Sequence, residues 1–104
     1  AKNYAIALES IQQAVEIDPD KSTYYHLLGK CYGRLAEKSN FIKAMSLSKK
    51  TLIAFEKAVE LDENNINALK DLMEYYRRAP GFLGGSNKKA DEIEKILQST
   101  NSPS

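Results

Sequence analysis

Apolar side chains recur every three or four positions along five stretches of the chain, and short polar segments separate these stretches. This period matches one face of an α-helix, whereas no stretch alternates apolar and polar residues as a half-buried strand does. The predicted helices cover residues 2–17, 22–38, 41–62, 66–78 and 86–98. We therefore expect an all-α fold in a single domain, 1–98, followed by a disordered tail at 99–104.

Residues that end or cap helices stand at the predicted boundaries. Pro19 stops the first helix, because proline lacks the N–H that a helix interior needs. Ser22 or Thr23 can cap the second helix and Ser86 the fifth, since hydroxyl oxygens accept hydrogen bonds from free N–H groups at a helix start. These local signals support the five-helix prediction.

The chain repeats itself at a distance of 44 residues. Ala14–Asp18 has the sequence AVEID, and Ala58–Asp62 has the sequence AVELD. The same shift pairs Leu28 with Leu72. Matches spread this widely indicate a repeated helix-turn-helix unit.

The second predicted helix carries a large residue at Tyr25, Leu28-Gly29 three and four positions later, and Tyr32 three positions after that. This spacing resembles the A helix of the tetratricopeptide repeat, a family that alternates A and B helices in units of 34 residues. The resemblance covers essentially the whole chain. It implies a right-handed superhelix with the helix order B, A–B, A–B.

The resemblance also implies packing roles, because small residues let helices approach closely and large ones fill the holes opposite. The implied repeat-packing positions are Tyr25, Leu28, Gly29, Tyr32, Phe55, Ala58, Leu69, Leu72 and Tyr76. The period of 44 exceeds the family's 34 by ten residues, which is nearly three helical turns. We therefore expect a lengthened central hairpin that projects at about residues 36–50.

The stretches SLSKKTLIAFEKAVELD and YYRRAPGFLGGSNKKA resemble a narrower bacterial group of tetratricopeptide proteins. Members of that group tend to be exported, so the resemblance suggests an exported or periplasmic protein, and a cytoplasmic location is the open alternative. The chain starts with Ala and with a B-type helix without its A partner, so we expect it to be a piece of a longer protein. The apolar face of residues 2–17 is then expected to be exposed and to self-associate.

Composition and charge exclude several classes of function. The 15 basic and 14 acidic side chains nearly cancel, so we expect no nucleic-acid binding. No apolar run approaches the ~18 residues that a membrane helix needs. The lone Cys31, expected to be buried, excludes an internal disulfide, and the lone His26 has no metal-ligating partner. We expect no metal, no cofactor and no enzymatic activity.

The loop GFLGGSNK contains the glycines and lysine of a phosphate-binding loop but not their order. A Walker loop has Gly, four residues, then Gly-Lys-Ser/Thr, and it follows a strand, whereas here a helix precedes. A helix stop, a turn and a cap explain the same residues, with Phe82 or Leu83 packed against the core. A small-anion site beside Lys88-Lys89 at the start of the fifth helix is the open alternative.

Polar side chains on the two A helices carry the functional prediction. In the family, A helices line a concave groove that holds a peptide or a partner helix, so the resemblance implies a non-enzymatic scaffold. The groove positions are Thr23, His26, Lys30, Arg34, Asn67, Lys70, Glu74 and Arg77. They are net basic, which favours an acidic peptide or a terminal carboxylate, whereas a merely solvated face is the alternative. The second hypothesis is an oligomerisation or structural module of a longer exported protein.

Overall fold

The computed structural model describes residues 3–101 as five α-helices and one short 3₁₀ turn. The helices are α1 (Tyr4–Ile17), α2 (Ser22–Glu37), α3 (Phe41–Leu61), α4 (Ile66–Arg78) and α5 (Asn87–Asn101), and the 3₁₀ turn is Gly81–Leu83. No strand occurs among residues 3–101, so the prediction of an all-α fold is confirmed. None of these helices is long and apolar enough to cross a lipid bilayer.

Polar side chains fix the starts of four helices. Asn3, Asn40 and Asn65 each accept a hydrogen bond from the backbone N–H three positions later, at 3.2, 2.9 and 3.1 Å. Ser86 Oγ accepts from the N–H of Lys89 at 3.1 Å, which confirms the predicted cap of α5. Each cap satisfies one of the N–H groups that a helix start leaves without a carbonyl partner.

The start of α2 contradicts the prediction of a cap at Ser22 or Thr23. Lys21 is the N-cap residue, and no described side chain accepts an N–H there. Ser22 is buried instead, and its hydroxyl donates to the Ala58 carbonyl at 2.6 Å and accepts from the Asn65 amide at 2.8 Å. The hydroxyl therefore links α2 to α3 and to the start of α4, and it is not available to cap its own helix.

The end of α5 also differs from the sequence prediction. The helix continues to Asn101, three residues beyond the predicted end at residue 98. These residues include neither Gly nor Pro, and Thr100 Oγ1 donates to the Ile96 carbonyl at 2.9 Å. The remaining predicted tail, 102–104, lies outside the described residues.

Helices α2 and α3 form a closely packed hairpin around Gly29. A Cβ atom at this position would lie 2.6 Å from ring carbons of Phe55 and 3.3 Å from Cβ of Ala54. The missing side chain therefore lets the two helices approach at this point. Leu47 is the first buried residue of α3, so the helix begins well before the region where it enters the core.

A second set of contacts joins α3, α4 and α5 into the main hydrophobic core. The buried members of this cluster are Phe55, Leu69, Leu72, Tyr76, Ala90, Ile93 and Leu97. Helix α1 packs mainly on α2, and all of its residues keep some exposure to solvent. The core thus fixes the position of α4 relative to α5 and, with it, the surface between these two helices.

Candidate functional site

Helices α4 and α5 border an open groove of about 840 Å³ on the protein surface. Its lining residues are Lys70, Met73, Glu74, Arg77, Arg78, Glu94, Leu97 and Gln98. The two apolar members, Met73 and Leu97, are half-buried and buried, while the charged members are exposed. We call this feature the α4–α5 groove.

Helical spacing brings the lining side chains together. On α4, Met73, Glu74 and Arg77 follow Lys70 by three, four and seven positions. This spacing places all four side chains on one side of the helix. Leu69, Leu72 and Tyr76 on the neighbouring side enter the core and fix the rotation of α4 about its axis. The groove is therefore a direct result of the amphipathic pattern of α4.

Most charges in the α4–α5 groove are paired within it. Arg77 Nη2 lies 3.0 Å from Asp91 Oδ1 and 3.2 Å from Glu94 Oε2, and Arg78 Nη1 lies 3.2 Å from Glu74 Oε1. Lys70 makes no ion pair with any described residue. Acidic side chains of α5 thus offset much of the net basic charge predicted for the A helices.

The structure brings only part of the predicted set into one groove. Lys70, Glu74 and Arg77 line the α4–α5 groove, whereas the other exposed members lie elsewhere on α2 and α4. These other members are Thr23, Lys30, Arg34 and Asn67. Arg34 is partly neutralised, because its Nη1 lies 3.3 Å from Glu37 Oε1.

His26, one of the predicted groove positions, is buried and does not line the α4–α5 groove. The residue is 8% exposed, and its Nε2 lies 2.6 Å from Asp71 Oδ2 on α4. Its ring centroid lies 5.8 Å from that of Phe55. The Asp71 carboxylate supplies the polar partner that a buried imidazole needs. His26 therefore joins α2 to α4.

The predicted repeat-packing residues are all at least half-buried. Six of them are buried, namely Gly29, Phe55, Ala58, Leu69, Leu72 and Tyr76, and the other three are half-buried, namely Tyr25, Leu28 and Tyr32. The Tyr76 hydroxyl donates to Glu56 Oε2 at 2.6 Å, and burial together with this carboxylate raises the pKa of Tyr76. The Tyr76 hydroxyl thus stays protonated, and able to donate this hydrogen bond, to a higher pH than an ordinary tyrosine.

Cys31 is buried at 7% exposure, as the sequence predicts. Burial raises the pKa of the Cys31 thiol, and the nearby Lys30 opposes this effect. Thiolate is the reactive form of cysteine, so the thiol is held in its less nucleophilic state. Among residues 3–101, no three or more His, Cys, Asp and Glu side chains form a group that could hold a metal ion.

The glycine-rich loop is a compact turn in which residues 83–86 use their N–H groups within the chain. Four consecutive residues, 83–86, donate their N–H groups to carbonyls of Pro80, Gly81 or Tyr76 at 2.8–3.0 Å. Gly84 has a φ of 93°, which favours glycine, and Leu83 is the half-buried member of the Phe82-Leu83 pair. These internal hydrogen bonds argue against anion binding by the N–H groups of residues 83–86.

Sequence reasoning missed the contribution of α5 to the groove, because the family resemblance assigns ligand contacts to A helices alone. Glu94, Leu97 and Gln98 supply one wall. The sequence does contain a pattern that indicates this wall. Asp91 and Glu94 lie one turn apart on α5 and can pair with the arginines at the end of α4.

Comparison with known proteins assigns no family to this chain. No family model matches it, and no curated protein matches it significantly. The tetratricopeptide assignment therefore stays a prediction, and it rests on the 44-residue repeat and on the packing positions of the chain itself.

Proposed function

We propose that this chain is a non-enzymatic scaffold of the tetratricopeptide type, with its hairpins stacked as a right-handed superhelix. Its partner is a peptide or a helix that binds the α4–α5 groove on the A-helix surface. The observation that carries this proposal is the groove itself, where exposed charges surround the apolar side chains of Met73 and Leu97. A groove of this composition suits the apolar face of an amphipathic helix.

The way in which α4 packs on the preceding hairpin supports a helical partner. Helix α4 packs on α3, and its Asp71 contacts His26 of α2. The 44-residue shift pairs His26 with Lys70. Lys70 on α4 is thus equivalent to His26 on α2, which contacts the Asp71 carboxylate of the following A helix, α4. A partner helix that presents Asp or Glu to Lys70 fits this arrangement and agrees with the predicted acidic ligand.

Reversing the charge of Lys70 tests the proposed groove. Peptides selected from a random phage-displayed library for binding to the chain are expected to bind Lys70→Glu about tenfold more weakly, because repulsion replaces attraction at the groove. Fluorescence anisotropy with the labelled peptides measures the affinities. Lys70 is a cleaner probe than Arg77, whose reversal would also disrupt its pairs with Asp91 and Glu94.

Lys95→Glu is the matched control for this experiment, since Lys95 is exposed on α5 and is not among the groove-lining residues. Both variants should melt like the parent chain, because exposed charges contribute little to stability. Failure to enrich any peptide, or equal affinity of the selected peptides for both variants, would count against the groove.

Self-association through α1 is the second candidate function, as part of an oligomerisation or structural module of a longer exported protein. One observation favours it: Ile6 and Ile17 are 62% and 85% exposed, and eleven positions place them three turns apart on one face. A dimer that forms with rising concentration, and that Ile6→Ser/Ile17→Ser abolishes in multi-angle light scattering, would favour this candidate. A monomer at all concentrations that still binds the selected peptides would favour the scaffold.

A further inference from the structure

The α2–α3 connection exposes two adjacent apolar side chains between two lysines. We define the hairpin tip as residues 38–43, KSNFIK, which join the end of α2 to the start of α3. Phe41 is 73% exposed and Ile42 is 80% exposed. Lys38 and Lys43 flank them and are also exposed. The other strongly exposed apolar residues of the chain stand singly, so the tip is the one place where an aromatic and an aliphatic side chain are exposed side by side among the described residues.

Positive charge continues from the hairpin tip along the first half of α3. Residues 38–55 contain four lysines and neither Asp nor Glu, although the whole chain has a formal net charge of only +1. Glu37, the acid next to the tip, is paired with Arg34. Lys38 Nζ approaches the ring of Tyr4 at 5.3 Å. The first acid of α1 in the sequence is Glu9, five positions or about one and a half helical turns after Tyr4. Carboxylates are therefore scarce around the tip.

We propose that the hairpin tip docks this protein on the surface of an anionic lipid bilayer. Phe41 and Ile42 enter the boundary between headgroups and acyl chains, while Lys38 and Lys43 lie at the level of the lipid phosphates. Apolar residues beside lysines suit this interface, because lysine can extend its ammonium group to the phosphates while its methylene chain covers apolar surface. The lysines further along α3 add attraction to the negative surface potential.

The small size of the tip favours a lipid surface over a protein partner. A specific protein interface buries on the order of 1,000 Å² or more, with good shape complementarity. Two apolar side chains at the end of a helical hairpin offer far less than that area. A bilayer needs no matching shape, and it attracts several lysines at once through its surface charge. The tip is also distinct from the α4–α5 groove, so this proposal is independent of the proposed peptide binding.

Vesicle co-sedimentation of the intact chain tests the proposal. We expect stronger binding to phosphatidylcholine vesicles that contain about 30 mol% phosphatidylserine than to phosphatidylcholine alone, and weaker binding at high salt. Phe41→Ser/Ile42→Ser should lower the partition coefficient about tenfold or more, because the inserted apolar surface is lost. Lys43→Ala should lower it about fivefold through the lost surface attraction.

Matched controls are available elsewhere on the chain. Ile17→Ser/Phe82→Ser removes the same two kinds of side chain from positions that are 85% and 66% exposed. Lys21→Ala removes an exposed lysine from the start of α2, at the other end of that helix from the tip. These variants should bind vesicles like the parent. Equal losses for tip and control variants, or no binding to anionic vesicles, would overturn the proposal.

A single-tryptophan variant gives a second readout that does not depend on removing apolar surface. The chain contains no Trp, so Phe41→Trp places a unique reporter at the tip. Its emission should shift to shorter wavelength on anionic vesicles, while that of Phe82→Trp should not. An unchanged spectrum of Phe41→Trp would overturn the proposal. A lipid-free dimer that the tip variants abolish would also overturn it, and would identify the tip as an interface between copies of this chain.

Discussion

Gly29→Leu is expected to lower the free energy of unfolding by about 3 kcal/mol, at the upper end of the usual cost of overpacking. The first added atom would already lie 2.6 Å from the ring of Phe55. Phe55 is 6% exposed and belongs to the main core, so its ring cannot move away without opening a void. Chemical denaturation followed by far-UV circular dichroism measures the change.

Gly33→Ala on the same helix is the matched control. Its added methyl would meet Thr51 at 3.7 Å, which is ordinary van der Waals contact. This substitution should stabilise the chain by about 0.5–1 kcal/mol, because alanine favours a helix interior over glycine. If Gly29→Leu unfolded at the same denaturant concentration as the parent, the close approach of α2 and α3 at Gly29 would be wrong.

Leu69→Ala is expected to cost about 2–5 kcal/mol, the range for deleting a large aliphatic side chain from a packed core. Leu69 is 2% exposed and belongs to the cluster that joins α3, α4 and α5. A domain of this kind has a total stability of about 5–15 kcal/mol, so the loss would be a large fraction of it. Thermal and denaturant unfolding both measure this effect.

Leu27→Ala provides the comparison, because Leu27 on α2 is 40% exposed and its removal leaves a much smaller void. Its expected cost is below about 1 kcal/mol. The Leu69 variant should also bind the selected peptides more weakly, since Leu69 helps to fix the helix that carries Lys70. Similar costs for the two substitutions would contradict the assignment of Leu69 to the core.

The helices were predictable because their signals are local. The hydrophobic period, the helix stop at Pro19 and the cap at Ser86 each act within a few positions of the chain, so the predicted bounds lie close to the observed ones. Gly29 was likewise identifiable as a small residue within a large-small pattern, and the structure places it against Phe55. Local spacing therefore predicted both the elements and one of their closest contacts.

The errors concern side chains whose partners are distant in sequence. Ser22 resembles a helix cap, but its hydroxyl forms hydrogen bonds with Ala58 and Asn65, which are 36 and 43 positions away in the sequence. His26 is polar and lies on an A helix, yet Asp71, 45 positions away, makes its burial possible. Periodicity within one helix does not contain these pairings, which depend on how the hairpins stack.

The edge position of α1 has a consequence for how this molecule opens. None of residues Tyr4–Ile17 is fully buried, and the helix packs mainly on α2. Detaching such a segment costs much less free energy than global unfolding, so amide hydrogens of α1 should exchange with solvent before those of α3 to α5. Each such opening uncovers the strip of α2 beneath α1, including Tyr32, which Gln12 contacts at 3.3 Å. Local opening of α1 can thus expose apolar surface of α2 while the rest of the fold stays intact.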